Sequence, residues 1–320
     1  MRIGLLNNLR AGRSEVQVGR LLKCIERYPD VLHVETTHTA AVPEALGEFA
    51  RKGVDVLAVN GGDGTLMRVL TEVIGAGEFD DRVPMIAPLR GGRTNMAALD
   101  MGAHRNSVKS LEALIAADRV GELERRIVRR RVLRVEYGPE RRTLYGMFFG
   151  LGVIHRGIQL THRSFPNGRA QGAFGGTLVT GALLSRLALL RERDGVLAPD
   201  KLQLMLDGEM QPGGEYSLAM ACTLDRLFAR MRPFWGEGDG GVPFTSIKSG
   251  AKDLWKAVPG ILAGRPGTHV HERNGYMSRN LDRVLIGANC GFTVDGELVD
   301  PEPSQVISVT ATEPIRFVCA

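Results

Sequence analysis

Residues 60–65 (Asn-Gly-Gly-Asp-Gly-Thr) have the composition of a phosphate-binding loop. They lie between an apolar segment, residues 54–59, and a segment with helical spacing, which predicts a strand, the loop and then a helix. Glycines let a backbone approach phosphate closely and point its N–H groups at the oxygens, and a helix N-terminus favours anions. Because a carboxylate would repel bare phosphate, we expect Asp63 to hold a phosphate-bound Mg²⁺. The residues predicted to bind phosphate are Gly61, Gly62, Asp63, Gly64 and Thr65.

Two more loops contain glycine, asparagine and arginine. Residues 7–13 follow the predicted first strand, and residues 88–95 follow the predicted fourth strand. The carboxyl ends of parallel strands meet at one edge of a sheet, where ligands bind in doubly wound folds. We therefore expect all three loops to contact one nucleotide. The residues predicted from these two loops are Asn8, Gly12, Gly92, Thr94 and Asn95.

Residues 295–297 (Asp-Gly-Glu) place two carboxylates around a glycine. Taken alone, the pattern favours a β-hairpin, because Asp-Gly is a strong signal for a two-residue turn. The alternative is a catalytic pair in which a carboxylate accepts a proton. His269 and His271 could share one face of a strand, but the sequence around them lacks a standard metal-ligand pattern, and we interpret them as structural.

Neither a Walker loop nor the set of protein-kinase motifs is present in the sequence. Phosphoryl transfer on this chain would therefore need a different organisation, although it would still require charge neutralisation, alignment and a base. An ordinary glycine-rich strand-to-helix turn remains the alternative explanation for residues 60–65.

The elements around these loops change character along the chain. Up to about residue 124, strands and helices alternate, which predicts an α/β domain with a doubly wound parallel sheet. From residue 125 to about residue 301, short strand patterns dominate and predict a mainly antiparallel β domain, interrupted by one helix at residues 178–191. The last strands, from about residue 302 to residue 320, are expected to pack back on the first domain.

The composition is that of a globular chain of 320 residues, with 43% hydrophobic and 24% charged residues and a net charge of +5. Four dispersed cysteines, no signal-peptide pattern and no apolar run of membrane-spanning length favour a cytoplasmic protein. The arginines crowded into residues 125–134 suggest peripheral contact with an anionic membrane surface. Nucleic acid is not expected, because no aromatic residues interleave with that stretch. A homodimer is possible through exposed edge strands.

Together, the motifs resemble the diacylglycerol kinase catalytic-domain family, which includes sphingosine kinases, ceramide kinases and soluble bacterial lipid kinases. That family has Asn-Pro-x-x-Gly after its first strand, and residues 8–12 match this motif except that Leu9 replaces proline. The family's Gly-Gly-Asp-Gly-Thr is intact at residues 61–65, but Arg68 stands where a glutamate usually follows. The third loop, Pro-x-Gly-Thr-x-Asn in the family, is longer and reordered in residues 88–95.

The resemblance implies a nucleotide-binding α/β domain similar to those of phosphofructokinase and NAD kinase, and a C-terminal antiparallel β-sandwich for the lipid, with the active site in the cleft between them. It implies ATP and Mg²⁺ as cofactors and a lipid substrate such as diacylglycerol, a sphingoid base or ceramide. It also implies that Asp295 is the general base for the lipid hydroxyl and that Glu297 supports it. With the family context, we favour the catalytic interpretation of residues 295–297.

Two alternatives to a lipid kinase stay open from the sequence. An NAD kinase-like enzyme would share the Gly-Gly-Asp-Gly motif, although its other motifs are not evident. A catalytically silent nucleotide-binding or membrane-associated protein would account for Arg68 and the altered third loop.

Overall fold

The computed structural model describes residues 1–11, 15–77, 79, 82–164 and 195–319. The chain forms two compact units, Met1–Arg130 with Glu313–Ala320, and Arg131–Thr312. It therefore passes from one unit to the other twice. The sequence pattern suggested these two crossings near residues 124 and 302, and the structure has them at residues 130–131 and 312–313.

The described residues contain eighteen strands and seven α-helices. The strands are β1 Ile3–Asn8, β2 Leu32–Thr36, β3 Val56–Gly61, β4 Met85–Arg90, β5 Ile127–Arg130, β6 Leu133–Tyr137, β7 Arg142–Gly146, β8 Phe148–Gly152, β9 Asp200–Leu206, β10 Glu209–Met210, β11 Gly214–Cys222, β12 Val242–Lys248, β13 Tyr276–Leu281, β14 Arg283–Ala288, β15 Phe292–Val294, β16 Glu297–Val299, β17 Gln305–Ala311 and β18 Ile315–Val318. The helices are α1 Glu15–Ile25, α2 Val42–Arg51, α3 Asp63–Thr71, α4 Met96–Asp100, α5 Ser107–Arg119, α6 Val153–Ser164 and α7 Leu254–Leu262.

The sheet of the first unit has the strand order β2-β1-β3-β4-β18-β5 in the described part of the chain. All neighbouring pairs are parallel except β18 and β5, which are antiparallel. The predicted parallel α/β domain is therefore confirmed. Because β2 lies outside β1 while β3 lies on its other side, the strand order reverses between β1 and β3, which is where doubly wound sheets bind ligands.

Helix α2 shows how closely local spacing predicts burial in this unit. Val42, Ala45, Leu46 and Phe49 form its buried face, as their spacing predicts. Apolar residues of β1, β3 and β4 meet those of α1 and α5 in a common core. This core holds the strands in register, and the register in turn sets the positions of the three loops.

The second unit is built on one sheet of twelve described strands, and its pairs are antiparallel. Strand β7 runs into β8 through the single residue Met147. Strands β6 and β15 lie near opposite ends of the strand order, yet the rings of Tyr137 and Phe292 are 5.1 Å apart, edge to face. The sheet therefore folds back on itself, and the predicted antiparallel β domain is confirmed.

Several elements of the second unit differ from the sequence prediction. Helices α6 and α7 and strands β12 and β13 were not predicted. Helix α7 contains Pro259 followed by glycine, two residues that weaken a helix pattern. The helix predicted at residues 178–191 lies outside the described residues. Within the described residues, no helix has both the length and the hydropathy that crossing a bilayer requires.

Candidate functional site

The strand register of the first unit brings the three predicted loops together. Asn60 on β3 is level with Asn7 on β1 and with Leu89 on β4, and Gly61 is level with Arg90. The loops after β1, β3 and β4 therefore leave the sheet side by side at its carboxyl edge. The predicted convergence of these loops is present in the structure.

Buried polar side chains connect the first two loops. The Asn60 amide donates a hydrogen bond to Asn7 Oδ1 at 2.7 Å, and Asn8 Nδ2 donates to Thr65 Oγ1 at 2.8 Å. Asn7, Asn60 and Thr65 are all buried. Asn8 and Thr65, both predicted to bind nucleotide, thus hold each other in place. Gly12, the other residue predicted from the first loop, lies outside the described residues.

The second and third loops touch through their backbones. A Cβ atom added to Gly91 would lie 2.4 Å from Gly61 N, and one added to Gly92 would lie 2.3 Å from Gly62 Cα. A Cβ atom on Gly61 would lie 2.5 Å from Thr65 Cβ. Real Cβ contacts are not this short, so Gly61, Gly91 and Gly92 are required by the packing of the protein itself.

Gly62 is different from its glycine neighbours. The nearest heavy atom to a Cβ atom at this position would be Gly92 Cα, at an ordinary 3.6 Å. Its φ of −87° and ψ of −179° are accessible to alanine. Nothing in its own surroundings therefore requires glycine. A phosphate approaching the N-terminus of α3 would require it, because only a bare backbone lets the oxygens come close.

The carboxylate of Asp63 connects the loop to the next helix. Its Oδ1 accepts a hydrogen bond from Ala97 N at 3.3 Å, at the start of α4. Burial raises the pKa of the Asp63 carboxyl above its ordinary value, and the backbone N–H groups of Asn95, Met96 and Ala97 act in the opposite direction. Asp63 therefore positions α4, a role that the sequence did not suggest.

Asn95 closes the third loop. Its side chain accepts a hydrogen bond from Gly92 N and donates one to Gly92 O, both at 2.7 Å, and its φ of 52° is left-handed. Thr94 is half-buried in the same turn. A cavity of about 10 Å³, the size of one water molecule, lies between this loop and the Gly61–Gly62 backbone.

The donors at this edge fit Mg²⁺ only as a companion of a nucleotide. Among the described residues, no group of three or more His, Cys, Asp or Glu side chains could hold a metal ion. Asp63 is the one predicted metal ligand, and one of its oxygens already accepts a hydrogen bond. Mg²⁺ is commonly bound by one or two carboxylates together with substrate phosphates, so the magnesium role of Asp63 stays a prediction.

Replacement of Asp63 separates the two roles. Asp63→Ala removes the acceptor at the start of α4 and should lower the free energy of unfolding by about 1 kcal/mol, with weaker Mg·ATP binding. Asp63→Asn keeps an oxygen for Ala97 N and should retain most of the stability. Chemical denaturation and ATP titrations at several Mg²⁺ concentrations measure both effects. If the ATP affinity of Asp63→Asn depended on Mg²⁺ concentration as that of the wild type does, the Asp63 carboxylate would not hold the metal.

Arg90 is a candidate phosphate ligand that we did not predict. It is the last residue of β4 and lies beside Gly61. Burial lowers the pKa of the Arg90 guanidinium, and the positive charge of Arg105 acts in the same direction. A half-buried guanidinium at the carboxyl edge of the sheet is suited to binding a phosphate oxygen. The signal in the sequence was an arginine at the end of β4, at the position that corresponds to Gly61 at the end of β3.

We expect Arg90→Ala to raise the Kd of ATP roughly tenfold, because one charge-assisted hydrogen bond is lost. The free energy of unfolding should change little. Arg51→Ala is the matched control. Arg51 is exposed at the end of α2, and the strand that follows, β3, begins at the edge of the sheet opposite to the candidate site. Isothermal titration with ATP gives both values. Equal ATP affinity in the two variants would exclude Arg90 from the phosphate site.

Arg68, which replaces the glutamate of the family pattern, pairs with an acid one turn later. Its guanidinium lies 2.7 Å from the carboxylate of Glu72. Glu72 begins a π-helical turn that continues α3. Arg68 therefore forms an ion pair along the helix with Glu72, where the family pattern has a glutamate at position 68.

The second predicted site lies in the second unit, in the turn between β15 and β16. Val294 pairs with Glu297, which leaves Asp295 and Gly296 as a two-residue turn with φ values of 49° and 90°. The hairpin that the Asp-Gly signal predicts is therefore present. The predicted catalytic role of the same residues does not conflict with it.

Asp295 is buried and held by backbone amides. Its Oδ1 accepts hydrogen bonds from Phe148 N at 2.8 Å and from Met147 N at 3.1 Å, and its Oδ2 lies 3.0 Å from Met147 N. These two amides fix the orientation of the carboxylate. Glu297 is exposed. Asp295 thus ties the hairpin to the junction of β7 and β8.

The fold is an α/β unit with a mostly parallel sheet followed in the chain by an antiparallel β unit. Residues 2–121 match the sequence model of the diacylglycerol kinase catalytic domain. The predicted resemblance to that family is therefore confirmed for the first unit. A comparison with curated proteins found no match to the chain.

Solved structures share the fold over both units. A putative diacylglycerol kinase from Bacillus anthracis str. Sterne is 16% identical, with 100% of this chain and 96% of that chain covered and a TM-score of 0.69. Yeast NADH kinase complexed with NADH is 11% identical, with coverage of 100% and 84% and a TM-score of 0.51. An NAD kinase from Archaeoglobus fulgidus in complex with ATP is 14% identical, with coverage of 99% and 93% and a TM-score of 0.50. At these identities the likeness establishes the fold.

Proposed function

We propose that the protein is an ATP-dependent lipid kinase that transfers the γ-phosphoryl group of ATP to a hydroxyl group of a lipid such as diacylglycerol, a sphingoid base or ceramide. The observation that carries the proposal is Gly62, because the packing of the protein around it does not require a glycine. Gly62 lies at the start of a helix and at the switch point of a doubly wound sheet, where anionic ligands bind. The match of the first unit to the diacylglycerol kinase catalytic domain supports the same chemistry.

In this proposal the phosphates of ATP bind to the backbone N–H groups of Gly62 and its neighbours, with Arg90 beside them. Mg²⁺ bound to ATP supplies charge neutralisation at the phosphate oxygens. The hydroxyl oxygen of the lipid forms a bond to the γ-phosphorus, and the bond from that phosphorus to the β–γ bridging oxygen breaks. ADP leaves with the electron pair, and Asp295 accepts the proton of the hydroxyl.

The proposed base, Asp295, belongs to the β15–β16 turn of the second unit. The amides of Met147 and Phe148 would hold the Asp295 carboxylate in one orientation, so that it need not be ordered during the reaction. Glu297, exposed one residue beyond the turn, is proposed to support it.

A kinase assay on the purified protein tests the proposal. Radiolabelled ATP and Mg²⁺ are offered with diacylglycerol, sphingosine, ceramide and NAD in separate reactions, and products are identified by mass. A phosphorylated lipid supports the proposal, while phosphorylated NAD would support the NAD kinase-like alternative. ATP binding without transfer to any acceptor would support a catalytically silent nucleotide-binding protein.

A further inference from the structure

Helix α7 has one face in the core and one face in solvent. Ala257 and Ile261 are buried against the second unit, one turn apart. Trp255 points the other way and is 60% exposed, and Pro259, four residues later on the same face, is also exposed. Tryptophan has an apolar ring and a polar N–H group, so this face is suited to an interface that is apolar on one side and wet on the other.

The segment of chain that contains this helix is basic. Residues 248–279 contain six basic and two acidic residues, a net charge of +4 compared with +5 for all 320 residues. Asp253 pairs with Lys256 at 3.1 Å and Glu272 pairs with Arg279 at 2.7 Å, so four of the six basic residues are in excess over the acids of the segment. The segment therefore presents a cationic surface with a single exposed tryptophan.

At least three of the six arginines in residues 125–134, the stretch first considered for membrane contact, form ion pairs inside the protein. Arg125 pairs with Glu122, Arg130 with Asp100 and Arg134 with Glu136. The charge of these three arginines is compensated locally, and residues 125–134 contain no aromatic side chain. The surface of α7 differs from this stretch because it places basic side chains beside an exposed tryptophan.

We propose that the α7 surface, defined as Lys252, Trp255, Lys256, Pro259 and Arg265, docks the protein on an anionic lipid bilayer. Tryptophan prefers the membrane–water interface, and lysines beside it can reach anionic headgroups while their alkyl stems stay in the apolar layer. Lys256 lies over the Trp255 ring, with its Nζ 5.0 Å from the centroid, so the cation and the aromatic ring approach a membrane together. A nucleic-acid site would instead present several stacking aromatics.

Sedimentation with lipid vesicles tests this docking without ATP, so the outcome does not depend on the kinase proposal. The full-length protein should bind phosphatidylcholine vesicles containing phosphatidylglycerol and bind much less to phosphatidylcholine alone, with release at high salt. Each of Lys252→Gln and Lys256→Gln should weaken binding about fivefold, and Trp255→Ala tenfold or more, on the order expected for a buried aromatic side chain.

Met210→Ala and Lys201→Gln are matched controls, because both side chains are exposed elsewhere in the second unit. They should bind vesicles like the wild type. Wild-type binding by Trp255→Ala, or equal binding to neutral and anionic vesicles, would overturn the proposal. The proposal would also be overturned if the protein did not bind vesicles and instead used the α7 surface to form a dimer or to bind RNA.

Fluorescence gives an independent readout, because the chain has two tryptophans, Trp235 and Trp255. Trp235 is half-buried. Anionic vesicles should shift the emission of the wild type and of Trp235→Phe to shorter wavelength, since the indole of Trp255 leaves water. Trp255→Phe should show no shift, and a shift that persists in this variant would place the bilayer contact elsewhere.

Discussion

Gly62→Ala should raise the Kd of ATP by roughly tenfold to a hundredfold, the cost of forcing one methyl group into a packed contact, while the folded protein stays stable. In the free protein the new Cβ atom meets only Gly92 Cα, at 3.6 Å. Gly62 is also the N-cap residue of α3, where alanine costs up to about 1 kcal/mol relative to better caps. Calorimetric titration with ATP and thermal unfolding measure the two effects.

Gly92→Ala is the control that reverses this pattern. Its Cβ atom would lie 2.3 Å from Gly62 Cα, so the two loops must separate. We expect the free energy of unfolding to fall by about 2–3 kcal/mol, and ATP binding to fall because the loop is displaced. If Gly62→Ala destabilised the protein as much as Gly92→Ala and bound ATP normally, Gly62 would be a structural glycine and the phosphate site would lie elsewhere.

Asp295→Asn should lower kcat about 10²- to 10⁴-fold, the usual contribution of a general base, with the Kd of ATP near its wild-type value. The amide side chain has the same shape but cannot accept the proton of the hydroxyl. ATP affinity should persist, because the proposed phosphate ligands all belong to the other unit of the chain. Single-turnover kinetics with the lipid identified by the assay above measures the step.

The anchoring role of Asp295 requires a stability control. Loss of a charged acceptor for Met147 N and Phe148 N should cost about 1–3 kcal/mol, which unfolding experiments on Asp295→Asn would detect. Glu297→Gln changes an exposed residue and should leave stability unchanged while lowering kcat to a smaller extent. A folded Asp295→Asn variant with wild-type kcat would contradict the base assignment and leave the carboxylate with its anchoring role alone.

Local patterns in the sequence determined the class of each unit and the location of both candidate sites. The apolar run before residue 60 and the glycines after it predict a strand, a loop and a helix, and β3 and α3 follow that order. The buried face of α2 follows from its spacing. The Asp-Gly turn follows from the φ values that each residue tolerates. These features depend on neighbours within one turn of helix or one hairpin.

Only the tertiary structure decided which residues those sites use and for what. Asp63 meets Ala97 across 34 residues of chain, and Asp295 meets Met147 across 148. Gly92 must be glycine because the backbone of Gly62 lies against it, whereas Gly62 itself has space. Such contacts depend on strand register and on the close approach of distant segments, and the periodicity of a single segment carries no information about either. From the sequence alone, these glycines all belong to loops that are predicted to bind the nucleotide. The fold shows that Gly61, Gly91 and Gly92 are required by packing and leaves Gly62 as the candidate that faces a ligand.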